Sequence, residues 1–110
     1  MSHNINHWIT TFLEAQAAEL GAANNTLLAY GRDLKDFQDW LIQQSRDFLE
    51  ATQGDVELYL IYCDAQGLAK STRARRLSSI KQIYRFAFEE GWREDNPPIQ
   101  ITGPGLDKRL

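Results

Sequence analysis

Residues 70–90 read KSTRARRLSSIKQIYRFAFEE and are followed by Gly91. Apolar residues recur in this stretch at spacings of three and four, at Leu77, Ile80, Tyr84 and Ala87. This spacing predicts an amphipathic helix of about 20 residues, which is roughly 30 Å long. Ser71 is the predicted N-cap, because its hydroxyl can accept a hydrogen bond from a free N–H of the first turn. Gly91 suits the left-handed residue that follows many helices.

The opposite face of this predicted helix is basic. Between residues 70 and 88 there are six basic side chains and no acidic one: Lys70, Arg73, Arg75, Arg76, Lys81 and Arg85. Polar residues recur along one line of the helix, at Ser71, Arg75, Ser78 and Gln82, flanked by Thr72, Ser79 and Lys81. Short hydroxyl side chains permit close approach of a partner, and arginine and glutamine supply donors for phosphates and base edges. The alternative is a solvated charged helix, although such faces usually mix both signs of charge.

The charge of the chain is unevenly distributed. A sequence of 110 residues, 43% hydrophobic and 25% charged, is typical of one globular domain. Its net charge of −3 argues against a general polyanion binder. Residues 1–69 carry three basic and ten acidic side chains, residues 70–88 carry six basic ones, and residues 89–110 carry three basic and five acidic ones. A basic stripe on an acidic body favours oriented docking over indiscriminate coating.

Several classes of function have no support in the sequence. The one cysteine, Cys63, excludes an intrachain disulfide. No apolar run approaches the roughly 18 residues of a membrane span, and the N-terminus lacks a signal-peptide pattern, so we expect a cytoplasmic protein. His3 and His7 lie one turn apart without a third ligand nearby, so we expect neither a metal site nor another cofactor. There is no glycine-rich phosphate loop and no Cys/His dyad, so we expect no catalytic residue in this chain.

Three further helices are predicted before the basic one. Apolar spacings place them at about residues 4–20, 25–44 and 53–66. The end signals are Ser2 or Asn4 and Gly21 for the first helix, and Thr52 with Asp55, which resemble a capping box, for the third. Trp40 lies on the apolar stripe of the second helix and Tyr84 on that of the fourth, so we expect both rings to be largely buried.

Two features of these helices leave alternatives open. Gly31 lies inside the second helix, where glycine costs about 1 kcal/mol relative to alanine. It either permits close approach of another backbone, or it is a sequence change that the fold tolerates. The third helix is apolar nearly all round, because Leu58, Ile61 and Tyr62 add to its core face. We expect this helix to be central in the fold, and contact with a partner is the alternative.

The residues after Gly91 have a different character. They read WREDNPPIQITGPGLDKRL, with prolines, glycines and no apolar periodicity. Such composition marks turns and linkers rather than a further helix. We therefore predict a helical domain over residues 1–96 and, over residues 97–110, a linker toward a second domain that is absent from this chain.

Two stretches resemble the core-binding domain of Xer-type tyrosine recombinases of the phage integrase family. Residues 25–41, NTLLAYGRDLKDFQDWL, are similar to the family motif NTxxxYxRDLxxFxxWL. Residues 71–97, STRARRLSSIKQIYRFAFEEGWREDNP, are similar to the motif ST-x-x-R-x-LS-x-I and its D-N-P exit. The resemblance covers about residues 4–110 with order and spacing kept. It implies an all-α fold, a small orthogonal, SAM-like bundle of four or five helices.

The same resemblance implies a function. Family members bind DNA with this domain, which forms the N-terminal half of a C-shaped clamp, and a separate C-terminal domain supplies an Arg/His/Arg set and a tyrosine nucleophile. The implied activity is site-specific DNA recombination, of the kind used for DNA integration or chromosome dimer resolution. The implied partners are a double-stranded recombination half-site and the other recombinase subunits of a synaptic tetramer.

The resemblance and the basic helix together give a set of expected DNA-binding residues. They are Asn25, Thr26, Arg32, Lys70, Ser71, Thr72, Arg73, Arg75, Arg76, Ser79, Lys81 and Gln82. Gly31 departs from the family by replacing a usual basic residue, and Pro98 departs by replacing a small one. The alternative function is a helical protein–protein interaction module whose basic face meets an acidic partner.

Overall fold

A computed structural model describes residues 5–101, with the side chains of residues 7–19 and 21–101. Four helices follow one another in this range: α1 (Ile5–Leu20), α2 (Asn24–Gln43), α3 (Gln53–Ala65) and α4 (Lys70–Glu89). No strand occurs between residues 5 and 101. The predicted all-α fold is therefore confirmed, and each predicted helix is present with its ends shifted by one residue at most. Ser2 and Asn4, the expected caps of α1, lie outside the described residues.

α2 and α4 form the centre of the bundle. Each of them packs against all three other helices, whereas α1 and α3 do not pack on each other within residues 5–101. The core of the bundle is rich in aromatic rings, and the fully buried ones are Phe12, Phe37, Phe48, Tyr59 and Tyr84. Trp40 is 7% exposed and Tyr84 0%, so the predicted burial of both rings is confirmed.

The helix ends follow from local hydrogen bonding. In α3 the Thr52 hydroxyl accepts from the Asp55 N–H, and the Asp55 carboxylate accepts from the Thr52 N–H, so the predicted capping box is confirmed. The prediction that Ser71 caps α4 is wrong, because the N-cap is Ala69 and Ser71 lies inside the first turn. Gly91 has φ +79°, which confirms the left-handed residue predicted after this helix.

The expected central position of α3 is wrong. One side of α3 is buried through Val56, Tyr59 and Cys63. On its other side Leu58 is 55% exposed and Ile61 63% exposed. The cause is that, of the helices within residues 5–101, only α2 and α4 pack on α3, and none of them covers its remaining face.

Gly31 packs against a side chain rather than another backbone. A Cβ built on Gly31 would stand 3.4 Å from Leu13 Cδ1 on α1, and no backbone atom of another element lies within 4 Å of it. The glycine thus sits where α1 and α2 touch, and its neighbour is the flexible end of a leucine. The close backbone approach suggested as one alternative is absent at this position.

The chain after α4 packs on the bundle. The Arg93 guanidinium donates to Phe48 O at 2.9 Å and to Ala51 O at 2.7 Å. Farther along, Pro98 is fully buried and Ile101 is only 7% exposed. Residues 97–101, the first part of the predicted linker, thus include side chains that are buried against the bundle. The rest of the predicted linker, residues 102–110, lies outside the described residues.

We expect Arg93→Ala to lower the free energy of unfolding by about 1–3 kcal/mol, the cost of leaving a buried acceptor without its donor. Among the described groups, Arg93 is the donor to Ala51 O, and no other hydrogen bond to that oxygen is formed. The measurement is urea unfolding followed by tryptophan fluorescence. Arg85→Ala is the matched control, since Arg85 is 71% exposed and pairs only with Glu89, so about 0.5 kcal/mol or less is expected. Equal losses in both variants would contradict the proposed role of Arg93.

Candidate nucleic-acid interface

The side of α4 that turns away from the other helices is polar and built from small and basic residues. Its exposed positions include Lys70, Ser71, Ala74, Arg75, Ser78 and Arg85, with half-buried Lys81 and Gln82 beside them. Ser71, Ala74 and Ser78 follow at spacings of three and four, so they form one row. Short side chains in one row allow a partner to approach the helix backbone closely. We call this exposed side of the helix the α4 face.

Ser79, one of the expected DNA-binding residues, lies in the contact between α2 and α4. Ser79 is 0% exposed, and its hydroxyl donates to Asp33 Oδ2 at 2.9 Å. Its neighbour Ser78 is exposed in the middle of the α4 face instead. The two serines differ by 100° around the helix, which is enough to turn one hydroxyl outward and the other into the α2–α4 contact.

Most of the basic residues of α4 are paired with acids. The pairs are Arg73–Asp64 at 3.5 Å, Arg75–Asp33 at 2.7 Å, Arg76–Asp36 at 2.7 Å and Arg85–Glu89 at 3.2 Å. Three of these acids come from α2 and α3. Residues 70–88 contain no acidic side chain, so the neighbouring helices provide the partners of Arg73, Arg75 and Arg76. The side chains of Arg73 and Arg76 are only 17% and 19% exposed. Both arginines thus connect helices and lie largely outside the α4 face.

Asp33 is the buried centre of the contact between α2 and α4. It is 1% exposed, and its two oxygens accept from Arg75 Nε at 3.0 Å and Arg75 Nη2 at 2.7 Å. Ser79 Oγ is a further donor to Oδ2, and Arg76 Nε lies 3.9 Å from Oδ1. The hydrogen bond to Asp33 raises the pKa of the Arg75 guanidinium above its ordinary value. A buried carboxylate of this kind is tolerated because charged donors satisfy both oxygens.

A second acid–arginine contact includes a tyrosine. Tyr59 OH donates to Asp36 Oδ2 at 2.6 Å, and Arg76 Nη1 donates to the same oxygen at 2.7 Å and to Tyr59 OH at 3.1 Å. Burial, and then the hydrogen bond to Asp36, raise the pKa of the Tyr59 phenol far above its ordinary value. Burial also raises the pKa of the Cys63 thiol. Neither group is suited to act as a nucleophile at neutral pH.

Two lysines of α4 remain available to a partner. No acidic group within residues 5–101 lies at ion-pair distance from Lys70 or Lys81. Lys81 borders an open groove of about 550 Å³ between the second half of α4 and the segment after it. The lining residues of this groove are Lys81, Gln82, Arg85, Phe88, Glu89, Asn96 and Ile99. These lysines are the positive charges of α4 that the domain does not itself neutralise.

The predicted residues of α2 lie at its exposed N-terminal half. Asn25, Thr26 and Arg32 are all exposed. The N-cap of α2 is Ala23, whose side chain offers no oxygen to the free N–H groups of the first turn. α4 begins in the same way, after Ala69. Both helix N-termini therefore keep N–H donors that a phosphate can take up.

Metal binding and membrane spanning find no support in the part of the chain that the structure describes. No group of three or more His, Cys, Asp or Glu side chains between residues 5 and 101 could hold a metal ion. His7 forms a 3.3 Å hydrogen bond with Thr11, and His3 lies outside the described range. No helix among these residues is long and apolar enough to cross a membrane.

The sequence of the four-helix region matches a known domain family. Residues 9–91 match the family described as "Phage integrase, N-terminal SAM-like domain". The chain belongs to this family. The matched range begins inside α1 and ends at Gly91, so the phage integrase SAM-like domain accounts for all four helices.

Curated relatives of this SAM-like domain are tyrosine recombinases. The chain is 42% identical over 103 residues to tyrosine recombinase XerD of Caulobacter vibrioides, covering 94% of the chain and 34% of the relative. It is 44% identical over 96 residues to tyrosine recombinase XerD of Agrobacterium fabrum, covering 87% and 29%. For tyrosine recombinase XerD of Rhizobium meliloti the identity is 41% over 103 residues, covering 94% and 33%. The chain thus spans about a third of the length of these recombinases.

Sequence reasoning missed the acids that organise the site. Asp33 and Asp36 were absent from the expected residues, although Asp33 follows Tyr30 by three positions and precedes Phe37 by four. An aspartate at that position lies at the edge of an apolar stripe and must be partly buried, which was the available signal. The sequence does not indicate which arginine pairs with each of these aspartates, because the paired residues are 42 and 40 positions apart.

We expect Arg76→Ala to destabilise the domain and Lys70→Ala to leave its stability unchanged. Removing Arg76 takes away hydrogen bonds to Asp36 and Tyr59, and hydrogen bonds to charged groups contribute about 1.5–3 kcal/mol. Lys70 is exposed, and it has no acidic partner among the described residues. Urea unfolding monitored by circular dichroism measures both variants. An unfolding midpoint for Arg76→Ala that equals that of the wild type would show that this contact contributes nothing to the fold.

Proposed function

We propose that this chain is the DNA-binding N-terminal domain of a site-specific tyrosine recombinase and contacts duplex DNA through the α4 face and the N-terminal half of α2. The proposal rests on one observation above all. Lys70 and Lys81 lie along α4 without an acidic partner in the described structure, with small residues Ser71 and Ser78 between them. Phosphate contacts by basic residues supply most of the sequence-independent affinity for DNA.

The free helix N-termini support the same surface. The first turns of α2 and α4 have no side-chain cap, whereas the capping box of Thr52 and Asp55 occupies that of α3. Backbone N–H groups at a helix N-terminus are suited to bind phosphate and orient the protein on the duplex. The capped N-terminus of α3 offers no such site. The helices expected to face DNA, α2 and α4, therefore both have backbone donors to spare.

The proposed contact set differs from the sequence-based one. It keeps Asn25, Thr26, Arg32, Lys70, Ser71, Thr72, Arg75, Lys81 and Gln82 and adds Ser78. Ser79 is left out because it is buried, and Arg73 and Arg76 are assigned to helix packing because each pairs with an acid of another helix. The exposed hydroxyls and Gln82 are placed to approach base edges, and the lysines to bind phosphates.

Strand cleavage is assigned to a part of the recombinase outside this chain. Attack on a phosphodiester needs an accessible, activated hydroxyl and cations that stabilise the developing charge. Tyr59 and Tyr84 are buried and have raised pKa values because of that burial. The domain would act with the other subunits of a recombinase on a recombination half-site in the cytoplasm, in integration or chromosome dimer resolution.

The second candidate is a protein–protein interaction module that meets an acidic partner through the α4 face. Both functions would be sensitive to salt, since both depend on Lys70 and Lys81. The two functions differ in what the domain recognises. A module that binds an acidic protein would show no preference for one duplex sequence over another. Preference of the intact recombinase for a duplex that carries its half-site, over a scrambled duplex of equal length, separates the two functions.

We expect the double variant Lys70→Ala/Lys81→Ala to bind DNA more weakly without loss of helicity. Each phosphate contact that is lost should reduce the slope of log K against log salt by about 0.9. The measurement is fluorescence anisotropy of a labelled random-sequence duplex, titrated with the 110-residue chain at several potassium chloride concentrations.

The matched control for this double variant is Arg46→Ala. Arg46 lies between α2 and α3, outside the α4 face, and its side chain is 45% exposed. Its removal deletes a positive charge elsewhere on the domain, so the salt slope should stay at the wild-type value. An unchanged affinity and slope for the lysine variant, or an equal loss for Arg46→Ala, contradicts the proposed surface.

We also expect that the 110-residue chain forms no covalent adduct with DNA. The tyrosines are Tyr30, Tyr59, Tyr62 and Tyr84. A phenol with a pKa near 10 or above needs a base and an accessible position to attack phosphorus. The test is incubation with a nicked suicide duplex followed by denaturing electrophoresis. An adduct that disappears when one of these tyrosines is changed to phenylalanine would overturn the assignment of catalysis to another domain.

A further inference from the structure

We propose that Asp33 is a positioning residue that fixes the Arg75 guanidinium in the orientation needed to bind a DNA phosphate. In this arrangement one edge of the guanidinium is held by the buried carboxylate, and the other edge faces outward on the α4 face. The inference rests on the proposed function, because it names how one residue of that surface is prepared for its ligand. It assigns to Asp33 a role in DNA binding without any contact between Asp33 and DNA.

The Arg75–Asp33 contact restricts the guanidinium in two directions at once. Arg75 Nε donates to Asp33 Oδ2 at 3.0 Å, and Arg75 Nη2 donates to Asp33 Oδ1 at 2.7 Å. Two parallel hydrogen bonds define the plane of the guanidinium as well as its position, which a single hydrogen bond does not. Arg85, by comparison, makes one 3.2 Å contact with Glu89 and is 71% exposed.

Asp33 is itself held in place. It is 1% exposed, and the Ser79 hydroxyl, which is also buried, donates to its Oδ2 at 2.9 Å. A carboxylate that is packed on all sides and shared by donors of α4 has few rotamers open to it. The position of the Arg75 guanidinium is therefore determined by the packed α2–α4 contact rather than by solvent.

The guanidinium keeps free donors for a ligand. A guanidinium has five N–H donors, and the contact with Asp33 uses two of them, so three remain. The Arg75 side chain is 52% exposed while Asp33 is buried, so the free donors lie on the solvent side. Arg75 also sits one turn after Ser71 and one turn before Ser78, in the middle of the α4 face. Its outer edge has the geometry that binds phosphate oxygens.

Positioning and simple electrostatics predict opposite signs for removal of the Asp33 charge. If Asp33 acted only as a negative charge near the DNA, Asp33→Asn would strengthen binding to a polyanion. If Asp33 positions Arg75, the same change loosens the guanidinium and weakens binding. Immobilising one long side chain on association reduces affinity by a factor of about two to ten, so that is the expected loss.

The experiment is a double-mutant cycle on the 110-residue chain with Asp33→Asn, Arg75→Gln and the combination, using anisotropy of the random-sequence duplex. We expect Asp33→Asn to weaken binding about two- to tenfold when Arg75 is present. In the Arg75→Gln background the same change should not weaken binding. Equal weakening in both backgrounds, or strengthening in both, would overturn the proposal. Circular dichroism identifies a temperature at which all variants retain the wild-type helicity.

Asp36→Asn is the matched control, because it removes the same charge from α2 one turn later. Asp36 pairs with Arg76, whose side chain is only 19% exposed. We expect this variant to change stability but not to weaken DNA binding. Weakening as large as that of Asp33→Asn would show that the effect belongs to the α2–α4 contact in general, and it would overturn the specific role of Asp33.

A measurement on the wild type does not depend on any variant folding. The heteronuclear NOE of the arginine Nε–H groups reports their motion on the picosecond to nanosecond timescale. We expect Arg75 Nε to be ordered like the backbone and Arg85 Nε to be mobile. Equal mobility of the two would overturn the proposal. If the wild type binds no DNA, both the proposed function and this inference are wrong. If DNA binding depends on Lys70 and Lys81 but Asp33 and Arg75 are not coupled, only this inference is wrong.

Discussion

The bundle depends on acidic residues of α2 that meet arginines of α4 across its centre. Asp33 takes two hydrogen bonds from Arg75, and Asp36 takes one from Arg76. Burying a carboxylate is unfavourable unless charged donors surround it, and removing one partner of such a pair is strongly destabilising. These contacts therefore tolerate only a narrow range of positions of α2 relative to α4. Since both helices touch α1 and α3, the rest of the bundle is built around that pair.

This constraint divides the basic residues of α4 into two groups. Arg73 and Arg76 serve the fold, because each pairs with an acid of another helix. Lys70 and Lys81 are unpaired, since no acid among the described residues lies at ion-pair distance from them. Arg75 belongs to neither group alone, because it pairs with the buried Asp33 carboxylate while its side chain is 52% exposed. The α4 face, which we propose binds DNA, thus carries less unpaired positive charge than the sequence suggests.

The chain matches only part of the tyrosine recombinases to which it is similar. It covers about a third of the tyrosine recombinases it matches. A surface with two unpaired lysines supports only a few phosphate contacts, and affinity for DNA grows steeply with their number. On the proposal that this surface binds DNA, we therefore expect the domain by itself to bind DNA weakly.

Patterns within the sequence predict the four helices, the glycines Gly21 and Gly91 that follow two of them, and the apolar stripes that bury Trp40 and Tyr84. Those features are local, since apolar spacing and end residues act over a few turns. The packing of the helices determines that one face of α3 is exposed, that Ser79 is buried while Ser78 is exposed, and that Pro98 and Ile101 are buried after α4. These outcomes depend on which helices become neighbours. The Asp33–Arg75 contact joins residues 42 positions apart, and no short-range pattern carries that information.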